Sequence, residues 1–184
     1  MDLKELQEIS SVCRLCELHH NRNKAVFAKG DPFSSVMVCG MCPGPDENEI
    51  GIPFVGAAGK VLDDVLVHAF SGKEGVYVTN LVKCFVPPGT RLKDGWMHSC
   101  LPYFISQINI IRPKVILALG KDVCNFLLNR TEEMKNLRGK TFDYIGNIKL
   151  ISTYHPSYLA RGGGIFHKHF KLVVDDFKES FKYI

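Results

Sequence analysis

No stretch of this chain stays apolar for the length a bilayer crossing needs. Its first residues, Met1-Asp2-Leu3-Lys4-Glu5-Leu6, carry acids where a secretory leader would carry an apolar run, and they read as a short amphipathic helix. No internal repeat, low-complexity tract or linker breaks the 184 residues. These absences exclude a membrane span and a solenoid. They lead to the expectation of one domain, residues 1–184, working as a monomer in the cytoplasm with no membrane partner. A strong charge of either sign is also missing: the net charge is +4, which allows a polyanionic partner without demanding one. What is present, 46% hydrophobic and 23% charged residues, suits a globular core.

Seven cysteines in a chain expected to stay unsecreted argue against a disulfide framework, and an odd count leaves one unpaired. Cys13 and Cys16 form a C-x-x-C pair whose two intervening residues let both thiolates face one centre. Cys84 and Cys100 complete a quartet. Four thiolates suit zinc or a 4Fe-4S cluster, and spacing alone does not choose between them, although the long gap before Cys84 is unlike a compact zinc finger. Cys39 and Cys42 form a rival pair. Cys39 ends an apolar strand and, with Cys124, reads as core. Cys42 lies in a glycine-proline loop and reads as a pocket-lining thiol.

Apolar runs at 35–40, 75–82 and 114–119 read as buried strands, each followed by a turn residue. Helical spacing predicts helices over 58–70, 97–111 and 121–128. Segments 141–144 and 148–152 flank Gly146-Asn147 as two strand segments around a turn. Residues 153–164 read as a glycine-rich loop. A last helix over 166–181 places Phe166, Phe170, Val173, Phe177 and Phe181 on one core-facing stripe. Strands alternating with helices imply a three-layer α/β/α sandwich on a mainly parallel sheet. Ligands of such sheets sit beyond the carboxyl ends of the strands. The loops after Gly40, Asn80, Gly120 and Thr153 would then share one rim, bringing Phe54, Asn80 and His155 within reach of one another.

The segment Gly40-Met41-Cys42-Pro43-Gly44-Pro45-Asp46-Glu47 is followed by Pro53-Phe54-Val55-Gly56 and Ala58-Gly59. Thr79-Asn80-Leu81-Val82-Lys83-Cys84 leads to Pro87-Pro88-Gly89-Thr90-Arg91. Cys100-Leu101-Pro102 and His155-Pro156-Ser157 come later. In this order, over nearly the whole chain, these blocks resemble the motifs of the family 4 uracil-DNA glycosylases. The resemblance implies a uracil-DNA glycosylase fold with an N-terminal cluster-binding segment, and removal of uracil from single- or double-stranded DNA in base excision repair. It implies that Cys13, Cys16, Cys84 and Cys100 hold a structural 4Fe-4S cluster, with zinc as the alternative. Gly40, Met41, Cys42, Phe54, Asn80 and His155 would line the base site. Phe54 would stack on the extruded uracil, Asn80 would read its O4/N3 edge and His155 would face O2. Ser157, Leu159 and Arg161 would meet DNA, with Leu159 as a wedge in the loop after His155. The amides of Gly162, Gly163 and Gly164 could approach phosphates.

One departure stands out. The family usually has glutamate at the position of Met41, and alanine or glycine at that of Cys42. Glu47 is then the remaining carboxylate candidate for catalysis beside His155. Two alternatives follow from the departure: a weakly catalytic or non-catalytic base-sensing module, or a glycosylase with a shifted base preference.

Overall fold

The computed structural model describes residues 1–70 and 75–184. Six strands form one sheet: β1 (Ala28–Gly30), β2 (Val36–Gly40), β3 (Val76–Asn80), β4 (Val115–Leu119), β5 (Thr141–Asp143) and β6 (Lys149–Thr153). Their order is β1-β3-β2-β4-β6-β5. The inner four are parallel, and the two short edge strands are antiparallel to their neighbours. β2, β3 and β4 are buried along their full length, as parallel strands covered on both faces must be. The expected strands are therefore present, together with a β1 that the sequence reading lacks.

Among the described residues eight α-helices surround the sheet: α1 (Leu3–Ser11), α2 (Pro45–Ile50), α3 (Ala57–Phe70), α4 (Asp94–Ile111), α5 (Lys121–Leu128), α6 (Met134–Leu137), α7 (Pro156–Arg161) and α8 (Phe170–Lys178). Side chains alternate across β2. Met37 and Cys39 pack with Trp96, Phe104 and Ile108 of α4 and Val123 of α5. Val36 and Val38 pack with Leu62 and Val65 of α3, Leu159 of α7 and Val173 and Phe177 of α8. Those two cores are the outer layers of a three-layer α/β/α sandwich. Among the described residues no helix is long and apolar enough to cross a membrane.

Two segments expected as loops contain short helices. In the stretch after Gly40, Pro45 occupies the first turn of α2, where its missing N–H costs nothing, and Asp46 and Glu47 suit the positive end of the helix. Gly51, at φ +88°, ends it. In the stretch after Thr153, His155 is the N-cap of α7 and Pro156 its first residue. The last helix is also shorter than its apolar stripe. It starts at Phe170, while Phe166 lies in a separate 3-10 turn and is 89% exposed. Phe181 is also exposed. The stripe is core at 170, 173 and 177 only.

Candidate active site

The carboxyl ends of β2, β3, β4 and β6 share one edge. Gly40 O accepts from Leu81 N at 2.9 Å, and Gly120 N donates to Thr153 O at 2.9 Å. The chain leaves β2 for β3 on one side and reaches β4 on the other, so the sheet's switch point lies at β2. Gly40 and Asn80 are register partners there and face the α3–α7 layer. A Cβ on Gly40 would stand 2.3 Å from Asn80 Oδ1 and 2.7 Å from Phe54 Cζ. Glycine at 40 is what lets the amide and the ring meet over the strand end. On the other side, a Cβ on Gly120 would stand 3.1 Å from His155 Cβ, and the Phe54 and His155 rings stack with centroids 5.9 Å apart. The structure thus brings together Gly40 and Asn80, at the ends of β2 and β3, with Phe54 ahead of α3 and His155 at the N-cap of α7, within reach of one another as expected.

Phe54 holds a left-handed backbone, φ +53°, which a bulky side chain adopts at a cost of about 1–2 kcal/mol. Three contacts impose it. Glu47 Oε1 accepts from Val55 N and from Gly56 N, both at 2.9 Å. Lys29 Nζ donates to Phe54 O at 2.8 Å. Gly59 leaves room for that carbonyl, since a Cβ there would lie 2.1 Å from Phe54 O. Glu47 is buried, and its carboxylate is tied to this loop. That geometry fits an anchor for Phe54 better than a base for an attacking water.

His155 is primed as a neutral donor. Ser157 N donates to its Nδ1 at 3.1 Å, and Ser157 Oγ lies 2.8 Å from the same atom. A backbone N–H can only donate, so Nδ1 carries no proton and the ring's N–H is at Nε2. Burial, with the nearby Arg161 charge, lowers its pKa to about 4, against a weaker opposing pull from Glu47. The His-Pro-Ser motif reads physically as an N-cap, a first-turn proline and the amide that fixes the tautomer.

Asn80 is 2% exposed, and its Oδ1 has no hydrogen-bond partner. A buried acceptor left open normally costs about 1–3 kcal/mol, so such an atom calls for a ligand donor. Beneath it, the buried Lys83 ammonium donates to Thr79 Oγ1 at 2.8 Å, to Gln107 Oε1 at 2.7 Å and to Asn80 O. Gln107 in turn donates to Tyr77 Oη at 2.9 Å. This network, which the sequence reading did not pick out, clamps the end of β3; a lysine three residues past a buried strand was its trace.

Two expected base-site residues and the expected wedge are placed differently. Met41 follows Gly40 on the opposite face and packs in the α4–α5 core. Its carbonyl accepts from Val82 N at 2.8 Å. Cys42 is half-buried at the rim, where burial, then Asp122 and Glu47, raise its thiol to about 11 and keep it protonated. Leu159 is a correction: it is fully buried between α3 and the sheet and cannot reach into DNA without leaving the core. Ser157 serves the His155 ring, and Arg161 is exposed at the end of α7.

Cys13, Cys16, Cys84 and Cys100 line one small pocket with Arg22, Lys83 and Tyr103. Arg22 Nη1 donates to Cys84 Sγ at 3.1 Å. Among the described residues no three donors converge closely enough to hold a single metal ion. Four thiols facing one pocket are a donor set that suits a thiolate-held metal centre. Cys39 and Cys124 lie in the core, as expected, and Cys42 stands apart from the quartet.

Known proteins resemble this chain over most of its length. Residues 27–178 match the family model described as the uracil DNA glycosylase superfamily. The chain is 38% identical to the type-4 uracil-DNA glycosylase of Pyrobaculum aerophilum over 88% of its own length and 86% of that protein's. It is 33% identical to the type-4 uracil-DNA glycosylase of Thermotoga maritima over 98% and 96% of the two lengths. It is also 33% identical to that of Archaeoglobus fulgidus over 83% and 79%.

Proposed function

The chain belongs to the uracil DNA glycosylase superfamily, and on that premise we propose how its site performs base excision. The protein is a DNA repair hydrolase that breaks the N-glycosidic bond of uracil in DNA and leaves an abasic site. The observation that carries the reading of the site is Asn80: a buried amide with an open Oδ1, beside an aromatic ring and a neutral imidazole.

A base must leave the stack before its glycosidic bond can be reached. Phe54 offers it a face, which gives affinity without identity. The Asn80 amide gives identity. Its Oδ1 takes the N3–H of uracil and its Nδ2 donates to O4, a pairing that cytosine reverses, at about 1–3 kcal/mol of discrimination per bidentate pair. As the bond breaks, uracil gathers negative charge on O2. The Nε2–H of His155 is a fixed donor for that charge, and a neutral imidazole supplies it without losing its own proton. The sugar becomes cationic in such a dissociative step, the DNA phosphates stabilise it, and water then adds at C1′ and gives up a proton, leaving the abasic site. No carboxylate at position 41 is then required. Glu47 acts through the Phe54 loop as a positioning residue.

Cys13, Cys16, Cys84 and Cys100 would hold a 4Fe-4S cluster whose contribution is structural: it ties the N-terminal segment to the loop after β3 and to α4. The four free thiols lining one pocket support this. Both cores close within the chain, which supports one domain acting as a monomer on single- or double-stranded DNA.

Single-turnover excision from a uracil-containing oligonucleotide, read by alkaline strand cleavage with a thymine control, tests the site. Asn80→Ala and His155→Ala each lower the rate strongly while the fold is kept. Unchanged rates in both variants reject the assignment.

A further inference from the structure

Extruding a nucleotide leaves a gap in the stack, and proteins that open DNA often fill such gaps with an apolar side chain. Leu159 is locked in the core. Ile50, Ile52 and Ile165 are partly exposed among the described residues, but Phe166 is far more so. It is 89% exposed and packs against neither core, so folding gives it no role. Its mount is rigid. The 3-10 turn Gly164–Phe166 follows Gly162 and Gly163, and a Cβ on Gly162 would stand 2.2 Å from His167 Cδ2. Behind it, Tyr154 stacks on His169 at 5.2 Å, Tyr158 packs on His167 at 4.6 Å, and His169 N donates to His167 Nδ1 at 3.0 Å.

The turn also stands next to the site. It follows α7, whose N-cap is His155, and Gly164 faces Val61 of α3, the helix that starts just past Gly56. Exposed Arg161 and Lys168 flank it. The other strongly exposed phenylalanine, Phe33, precedes β2 at the opposite end of the sheet. A bare aromatic face with an exposed cation on either side in sequence matches a nucleic-acid stack, with bases for the ring and phosphates for the charges.

We infer that Phe166 enters the base stack of duplex DNA beside the extruded nucleotide, with Arg161 and Lys168 on the flanking phosphates. The inference rests on the reading of this chain as a uracil-DNA glycosylase. Its test uses the full chain and a duplex carrying 2-aminopurine next to a stable abasic analogue. Binding raises the 2-aminopurine signal in the wild type, Phe166→Ala abolishes the rise, and Phe166→Leu restores part of it. On uracil substrates, Phe166→Ala slows excision from duplex by about 5- to 150-fold, the worth of one base–aromatic stack, and leaves single-stranded excision near wild type. A 2-aminopurine signal independent of Phe166, or equal losses on both substrates, overturns the inference. A wild type that excises no uracil overturns the glycosylase reading instead, and the abasic duplex still decides the role of Phe166.

Discussion

His155 offers the sharpest physical test, because its neutrality is both a stability cost and the condition for its proposed donor role. Burial takes its pKa from the ordinary 6.5 down to about 4. Each tenfold change in a protonation equilibrium is worth about 1.4 kcal/mol, so this gap is worth about 3 kcal/mol. The folded pKa lies below the unfolded one. The contribution to stability is therefore whole above pH 6.5, and it is lost progressively as the pH falls towards 4. At pH 5 the loss is about 2 kcal/mol. His155→Asn removes the titration but keeps an N-cap able to accept from Ser157 N. Urea unfolding of both proteins at pH 7 and pH 5, without air, gives a difference of differences in which other titrating groups cancel. The wild type loses about 2 kcal/mol more than the variant on going to pH 5. Its excision rate also stays level between these values. Equal pH dependence in the two proteins, or an acid limb centred near the ordinary histidine value, refutes the buried neutral imidazole.

Three further outcomes follow from the same geometry. Glu47→Gln retains an acceptor for Val55 N and Gly56 N and keeps most excision activity; Glu47→Ala frees Phe54 and loses about 2 kcal/mol or more of transition-state stabilisation, read from kcat/KM. Loss of activity in Glu47→Gln equal to that in Glu47→Ala would restore Glu47 as a base. Protein purified without air carries iron and acid-labile sulfide with visible absorption, and Cys84→Ser or Cys100→Ser loses most of both; stoichiometric zinc without iron would reject the cluster. Lys83→Met strands Asn80 O and Gln107 Oε1 in the interior and lowers unfolding stability by about 2–4 kcal/mol, measured by denaturant titration. A change within about 0.5 kcal/mol would show that the ammonium does not clamp β3.

The sheet was legible because its inner strands are apolar on both faces and end at turn residues, Gly40, Asn80 and Gly120. That pattern put three site loops on one rim before any coordinates. The helices α2 and α7 were hidden by the prolines and glycines that serve them, Pro45 and Pro156 at their first turns and Gly44 and Gly51 at the caps of α2. The same residues read as loop signals when the positional meaning of a first-turn proline is passed over. Phe166 shows the limit of spacing. Its distance from Phe170, Val173 and Phe177 suits one helix face, but the turn 162–169 breaks the register and leaves the ring outside. Met41 was decidable in principle, since alternation along β2 sends it opposite to Gly40. The Lys83 network joins residues far apart in sequence, and no local pattern announces it.

The central claim is that this pocket releases uracil from DNA and no other pyrimidine. The direct measurement is chromatographic identification of the free base after a single turnover on oligonucleotides carrying uracil, thymine or cytosine at one position. The account predicts stoichiometric free uracil from the first and none of the other two bases, with Asn80→Ala releasing far less. Release of a different base, or no base from a protein that still binds the strand, would contradict it.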